Sequence, residues 1–139
     1  THDNQANSLP RLLSGIDGAL GAFNAAMREI GMHQNVTLFT ASDFGRTLAV
    51  NGDGTDHGWG GHHIVTGGAV TGGELFGTPT PPVLDHDLDA GGGRIIPAYS
   101  VEQFAAPLGS WFGLNNGELN NALPSLGNFD QAALNVFAS

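Results

Sequence analysis

The chain has 139 residues, no cysteine, no lysine, four arginines and 13 acidic residues, for a formal net charge of -9. Phosphate backbones and anionic lipid repel such a surface, which argues against nucleic-acid or membrane partners and favours metal cations. Without cysteine there are no disulfides, no thiolate catalysis and no sulfur-ligated zinc, so any metal must use His, carboxylate or carbonyl donors.

The length fits one domain or a piece of one, able to bury roughly two thirds of its extended surface. No apolar run reaches the roughly 20 residues that span a bilayer. The chain opens on THDNQ without an initiator Met, as a processed, engineered or partial chain would.

Leu9, Leu12, Leu13, Ile16, Leu20, Phe23, Met27 and Ile30 recur at helical spacing and predict an amphipathic helix over about 9–30. Asn7 or Ser8 can cap its start, Pro10 suits the first turn and Gly31 can end it. Gly15, Gly18 and Gly21 weaken it by up to ~1 kcal/mol each relative to Ala. Such small residues let a helix lie close to a sheet.

VTLFTA at 36–41 is short, β-branched and apolar, as a strand buried on both faces would be. A long polar loop is expected over 42–63, then a second strand from about 63 to 68. GGAVTGGELFG reads as a Gly-rich turn or hairpin with an edge strand near 74–76. The Pro-, Asp- and Gly-rich stretch 78–93 reads as a surface loop, and 94–98 as another short strand. Ser100 with Gln103 forms a capping-box start to a helix reaching about Phe112 and stopped by Gly113. A shorter helix is expected over 118–123, ended by Pro124, with a last helical turn from Asp130.

This order of strands and helices predicts an α/β layered fold with a mostly parallel sheet flanked by helices. Ligands in such folds bind beyond the C-terminal strand ends, where the polar loop would emerge. That loop, SDFGRTLAVNGDGTDHGWGGHH, carries Asp43, Asp56, His57, His62 and His63. Imidazoles and carboxylates suit zinc, manganese or iron, and a Gly-rich backbone lets them converge. The alternative is a structural loop in which Asp43 and Asp56 cap turns and the His residues pack on Trp59.

Arg46 can grip an anionic oxygen through its planar fork, or pair with Asp43 or Asp53. His2 and Asp3 are either a frayed end or part of the site. Asp85, Asp87 and Asp89 fail the EF-hand spacing, since Ala90 and Ile96 occupy the turn-glycine and bidentate-acid positions; a solvated loop is expected there. There is no phosphate-cradling Gly-rich motif and no nucleophile elbow.

Taken together, THDNQ at 1–5, FTASDFGRTLAVNGDGTDHGWGGHH at 39–63, the following GGAVTGG, RIIPAYSVEQFAAPLGSWFG at 94–113 and LPSLGNF at 123–129 resemble the bacterial family known as domain of unknown function 1501, of the alkaline phosphatase and sulfatase-like superfamily. The resemblance implies that the chain is the C-terminal portion of a single alkaline phosphatase-like domain, exported to the periplasm or beyond through a twin-arginine signal. It implies a divalent metal (zinc, manganese or calcium) held by His2, Asp43, Asp56, His57 and His62, with Arg46 steadying an anionic phosphate or sulfate ester. The superfamily's strand-end motif is similar to T-x-D-H-G; here TASDFG keeps Asp43 but places Phe44 where a ligand histidine stands.

The nucleophile would lie upstream of Thr1, so the 139 residues are expected to be inactive alone and to depend on the upstream portion of the parent chain. A parallel sheet stripped of that portion should self-associate through exposed apolar surface. A non-catalytic exported scaffold with a degenerate metal site is the alternative that Phe44 favours.

Overall fold

The NGDG sequence at positions 51–54 decides the architecture. Asn-Gly and Asp-Gly pairs between β-forming runs are strong hairpin signals. In the computed structural model, which describes residues 1–130 and 134–137, the chain reverses there between β2 (Gly45–Asn51) and β3 (Gly54–Gly58). Gly52, at φ +66, provides the positive φ that the first central position of a two-residue II′ turn demands. What the sequence presented as a polar loop is therefore a two-stranded antiparallel sheet.

The hairpin also overturns the expected parallel sheet. A parallel pair needs a crossover to the opposite strand end. Here the segment between β1 (Thr37–Phe39) and β4 (Val65–Gly67) folds back on itself, and the two strands pair antiparallel, Leu38 facing Thr66. The fold is mixed α/β with two small antiparallel two-stranded sheets. Neither the edge strand at 74–76 nor the strand at 94–98 forms; an isolated bridge from Asp89 to Ile95 is all that remains of the latter. Pro97, which lacks an N–H, suits a ladder that stops there.

The chain divides into two compact units, Thr1–Gly68 with Pro79–Pro97, and Ala69–Thr78 with Ala98–Ser139. In the first, α1 spans Gln5–Glu29, four residues earlier than the apolar periodicity indicated. Asn4 stands at its N-cap in a left-handed conformation with no side-chain cap bond. Its end follows the sequence: Gly31 at φ +72 donates to the Arg28 carbonyl and Met32 to that of Met27, a Schellman closure. Asn24 ties the helix to the rest, donating to the Thr66 hydroxyl at 3.1 Å and meeting His33 Nε2 at 3.1 Å.

β2 carries a bulge. Arg46 faces His57 and Val50 faces Thr55, so three residues of β2 oppose Asp56 alone. The freed Leu48 N–H donates to the Gly93 carbonyl at 3.0 Å. No apolar side chain of this first unit is buried among the described residues; Leu9, Leu12, Leu13 and Ile16 on α1 are each 40–54% exposed.

The second unit holds the buried apolar residues Leu119, Leu126, Leu134 and Val136. Here the sequence reads well. α2 (Val101–Phe112) opens on a complete Ser100–Gln103 capping box and closes at Gly113 in the left-handed region. α3 (Asn116–Ala122) opens on a second box, Asn115 with Glu118. Trp111 stacks on Phe137 with centroids 5.1 Å apart, and Val70 bridges Phe137. Most of the helical turn expected from Asp130 falls at 131–133, outside the described residues. No described helix is long and apolar enough to cross a membrane.

Candidate functional site

Neighbouring residues of a strand point to opposite faces, so Asp56 and His57 of β3 diverge. His2 reaches both of them. Residues 1–5 run along the free side of β3: the Thr55 N–H donates to the Thr1 carbonyl at 3.2 Å, and the Gln5 N–H to the Asp53 carbonyl at 3.0 Å. The Gln5 side-chain oxygen then accepts from the Thr55 hydroxyl at 3.1 Å. This seating brings His2 Nδ1 to 3.7 Å from Asp56 Oδ1 and the His2 ring to 4.8 Å from that of His57. Both His2 and Asp56 are about half exposed, at 58% and 49% of their side-chain surface.

Two further side chains frame the cluster. Asn51 donates to Asp56 Oδ1 at 2.8 Å, orienting the carboxylate. Phe44 stacks on His57 with centroids 3.7 Å apart and planes 13° from parallel, which fixes the plane of the imidazole. The residue standing in the expected ligand position thus acts as a platform for the neighbouring histidine.

Arg46 faces inward along the hairpin. Its Nε donates to the Thr55 hydroxyl at 3.1 Å and its terminal nitrogen to the Thr55 carbonyl. Neither of its anticipated acidic partners, Asp43 and Asp53, is the group it binds; a backbone carbonyl takes that place. Asp43 and His62 are exposed, and no group of three or more His, Asp or Glu side chains is set to hold a metal ion among the described residues. The structure therefore brings together His2, Asp56 and His57 of the expected ligands and does not gather all five.

The chemistry this arrangement allows is that of a partial donor set. Two donors sharing one ion stand a little over 3 Å apart when each is roughly 2.1 Å from the metal. A separation of 3.7 Å needs only a small side-chain adjustment. One imidazole nitrogen and one carboxylate oxygen fit zinc or manganese better than calcium, which prefers an all-oxygen shell. Asn51 escaped the sequence reading, as did the stacking role of Phe44; the NGDG hairpin signal at 51–54 would have placed Asn51 beside β3.

A second polar centre lies at 85–95. Asp89 accepts the N–H of Asp85 at 3.0 Å and those of Gly91 and Gly93 at 2.8 Å each. The Asp85 N–H is the main influence holding its carboxyl below the ordinary value; desolvation opposes this, and Gly91, Gly93 and the charge of His86 reinforce it. Asp89 thus organises this stretch, which is largely exposed, in keeping with the solvated loop expected there.

No curated protein and no solved structure matches the sequence. The family model described as protein of unknown function (DUF1501) does match, over residues 1–87, a stretch that contains His2, Phe44, Arg46, Asp56 and His57. With well over half of its length covered, the chain belongs to the DUF1501 family.

Proposed function

We propose that this chain is a segment of an exported, metal-dependent hydrolase-like protein acting on phosphate or sulfate esters, to which it contributes His2 and Asp56 as a pair of metal donors, flanked by His57. The 3.7 Å approach of His2 Nδ1 to Asp56 Oδ1 carries the reading. A divalent ion held there supplies Lewis-acid polarisation of an ester oxygen. The chain's own groups hold and orient: Asn51 fixes the carboxylate and Phe44 fixes His57.

The resemblance of SDFGRT and GTDHGWG to the DUF1501 family, read as a branch of the alkaline phosphatase and sulfatase-like superfamily with exported members, supports the ester class and export. This reading retains the donor chemistry and abandons the parallel sheet. On this reading the chain supplies part of a ligand set and not the whole of it. Calorimetric titration with Zn2+ and Mn2+ tests it: saturable uptake, lost in Asp56→Ala and weakened at least about tenfold but still measurable in His2→Ala, is expected, with no ester turnover by this chain alone. Absence of uptake by the unaltered chain overturns the metal reading.

A second reading, a non-catalytic scaffold that associates with itself, draws on the exposed Leu9, Leu12, Leu13 and Ile16 stripe.

A further inference from the structure

We infer that Gly54, which carries no ligand atom, is the positioning residue that sets His2 in reach of Asp56 and His57. The inference rests on the metal reading above for its consequence, and on backbone geometry for its cause.

A Cβ built on Gly54 would lie 2.3 Å from both the carbonyl carbon and oxygen of His2 and 2.7 Å from the Asp3 nitrogen. Carbon atoms in contact sit at about 3.5–4.0 Å, so any side chain here drives the His2 backbone back by about 1 Å or more. The obstruction is backbone, which cannot swing aside as a flexible side chain would. The segment is also held on both flanks of the contact, by the Thr55-to-Thr1 and Gln5-to-Asp53 hydrogen bonds. Thr55, which provides one of these, is only 6% exposed. Metal–donor distances are held within about 0.2 Å. A displacement of about 1 Å therefore separates His2 from Asp56 without altering either donor.

Two variants approach the contact from opposite sides. Gly54→Ala adds the clash. Gln5→Pro removes the N–H that reaches Asp53 and the acceptor that Thr55 uses, and disfavours the left-handed conformation of the preceding Asn4, so that the seating of residues 1–5 is released. The readouts are the proton–proton contact between the His2 and His57 rings by NMR and Zn2+ affinity by calorimetry. Both variants are expected to lose the ring contact while Phe44 stays stacked on His57, and to weaken Zn2+ binding by at least about tenfold. In a His2→Ala background, Gly54→Ala should cost no further affinity, which distinguishes action through His2 from general loosening.

Retention of the ring contact in Gly54→Ala, or a further loss of affinity in the His2→Ala background, overturns the inference. Should Gly54→Ala not fold, Gln5→Pro decides by the same contact. If the unaltered chain takes up no Zn2+, the metal reading fails, and loss of the ring contact in the variants still upholds the positioning role.

Discussion

The Thr47 hydroxyl accepts the backbone N–H of Asp56 at 3.1 Å while donating to the Ala49 carbonyl at 2.9 Å. Thr47 is 6% exposed and sits in the bulge of β2, so one side chain satisfies two of the backbone groups that the broken ladder leaves over. Thr47→Val keeps the shape and strands the Asp56 N–H. A loss of about 1–3 kcal/mol is expected in urea unfolding, with chemical-shift changes concentrated at Ala49 and Asp56. Unchanged stability would mean that water replaces the hydroxyl at no cost.

Metal uptake should be visible as folding stability. An ion that binds the folded chain alone stabilises it by about 2.7 kcal/mol at a hundred times its dissociation constant. Zn2+ should therefore raise the melting temperature of the unaltered chain, a chelator should reverse the rise, and Asp56→Ala should show neither effect.

The Asp89 loop makes a prediction about acid. A carboxyl with its folded pKa below the unfolded value of about 3.9 contributes stability that is complete above that value. The contribution disappears as pH falls through the lowered folded value. The amide signals of Asp85, Gly91 and Gly93 should thus stay fixed from neutral pH down to about 4 and shift only below it. Asp89→Asn, which leaves one acceptor oxygen instead of two, should speed amide exchange at these three positions even at neutral pH.

The two capping boxes offer an independent check on the second unit. Ser100→Ala and Asn115→Ala should each cost about 1 kcal/mol of stability, measured by thermal or urea unfolding. Gln103 also donates to the Asp130 carbonyl at 2.6 Å, so Gln103→Ala should cost more than Ser100→Ala. The reverse order would show that the Asp130 contact contributes little.

Self-association is expected of the exposed stripe on α1. Light scattering of the chain should rise with concentration, and Leu13→Ser with Ile16→Ser should suppress the rise with little loss of stability, since the two are 54% and 45% exposed. A chain that stays dispersed at high concentration, with or without the changes, would remove the support for the scaffold reading.

Local rules carried the sequence reading where hydrogen bonds are local. Ser100 with Gln103, Gly113 and Gly31 announced helix ends because each acts within four residues of itself. Strand direction was not legible in the same way. The apolar run VTLFTA is compatible with either pairing, and the choice was made by the Asn51–Gly54 turn, whose signal lay hidden in a stretch valued for its acids and histidines. The site shows the same division. Asp56 and His57 could be nominated from residue type, but His2 joins them because residues 1–5 lie along β3, a contact between positions about fifty apart in sequence. Arg46 has the chemistry to grip an anion, and tertiary structure gives it Thr55 instead.

The bulge in β2 has a consequence for length variation in this family. From Arg46 to Val50 the strand advances four residues while its partner retreats two, from His57 to Thr55, so the surplus is an even number. Because a strand's pleat repeats every second residue, an even surplus leaves the alternation on either side in phase, with Arg46 and Val50 on a common face. Relatives that lengthen or shorten this stretch by two residues can therefore preserve the faces of the hairpin. A single insertion or deletion would invert one end against the other and carry Phe44 away from His57.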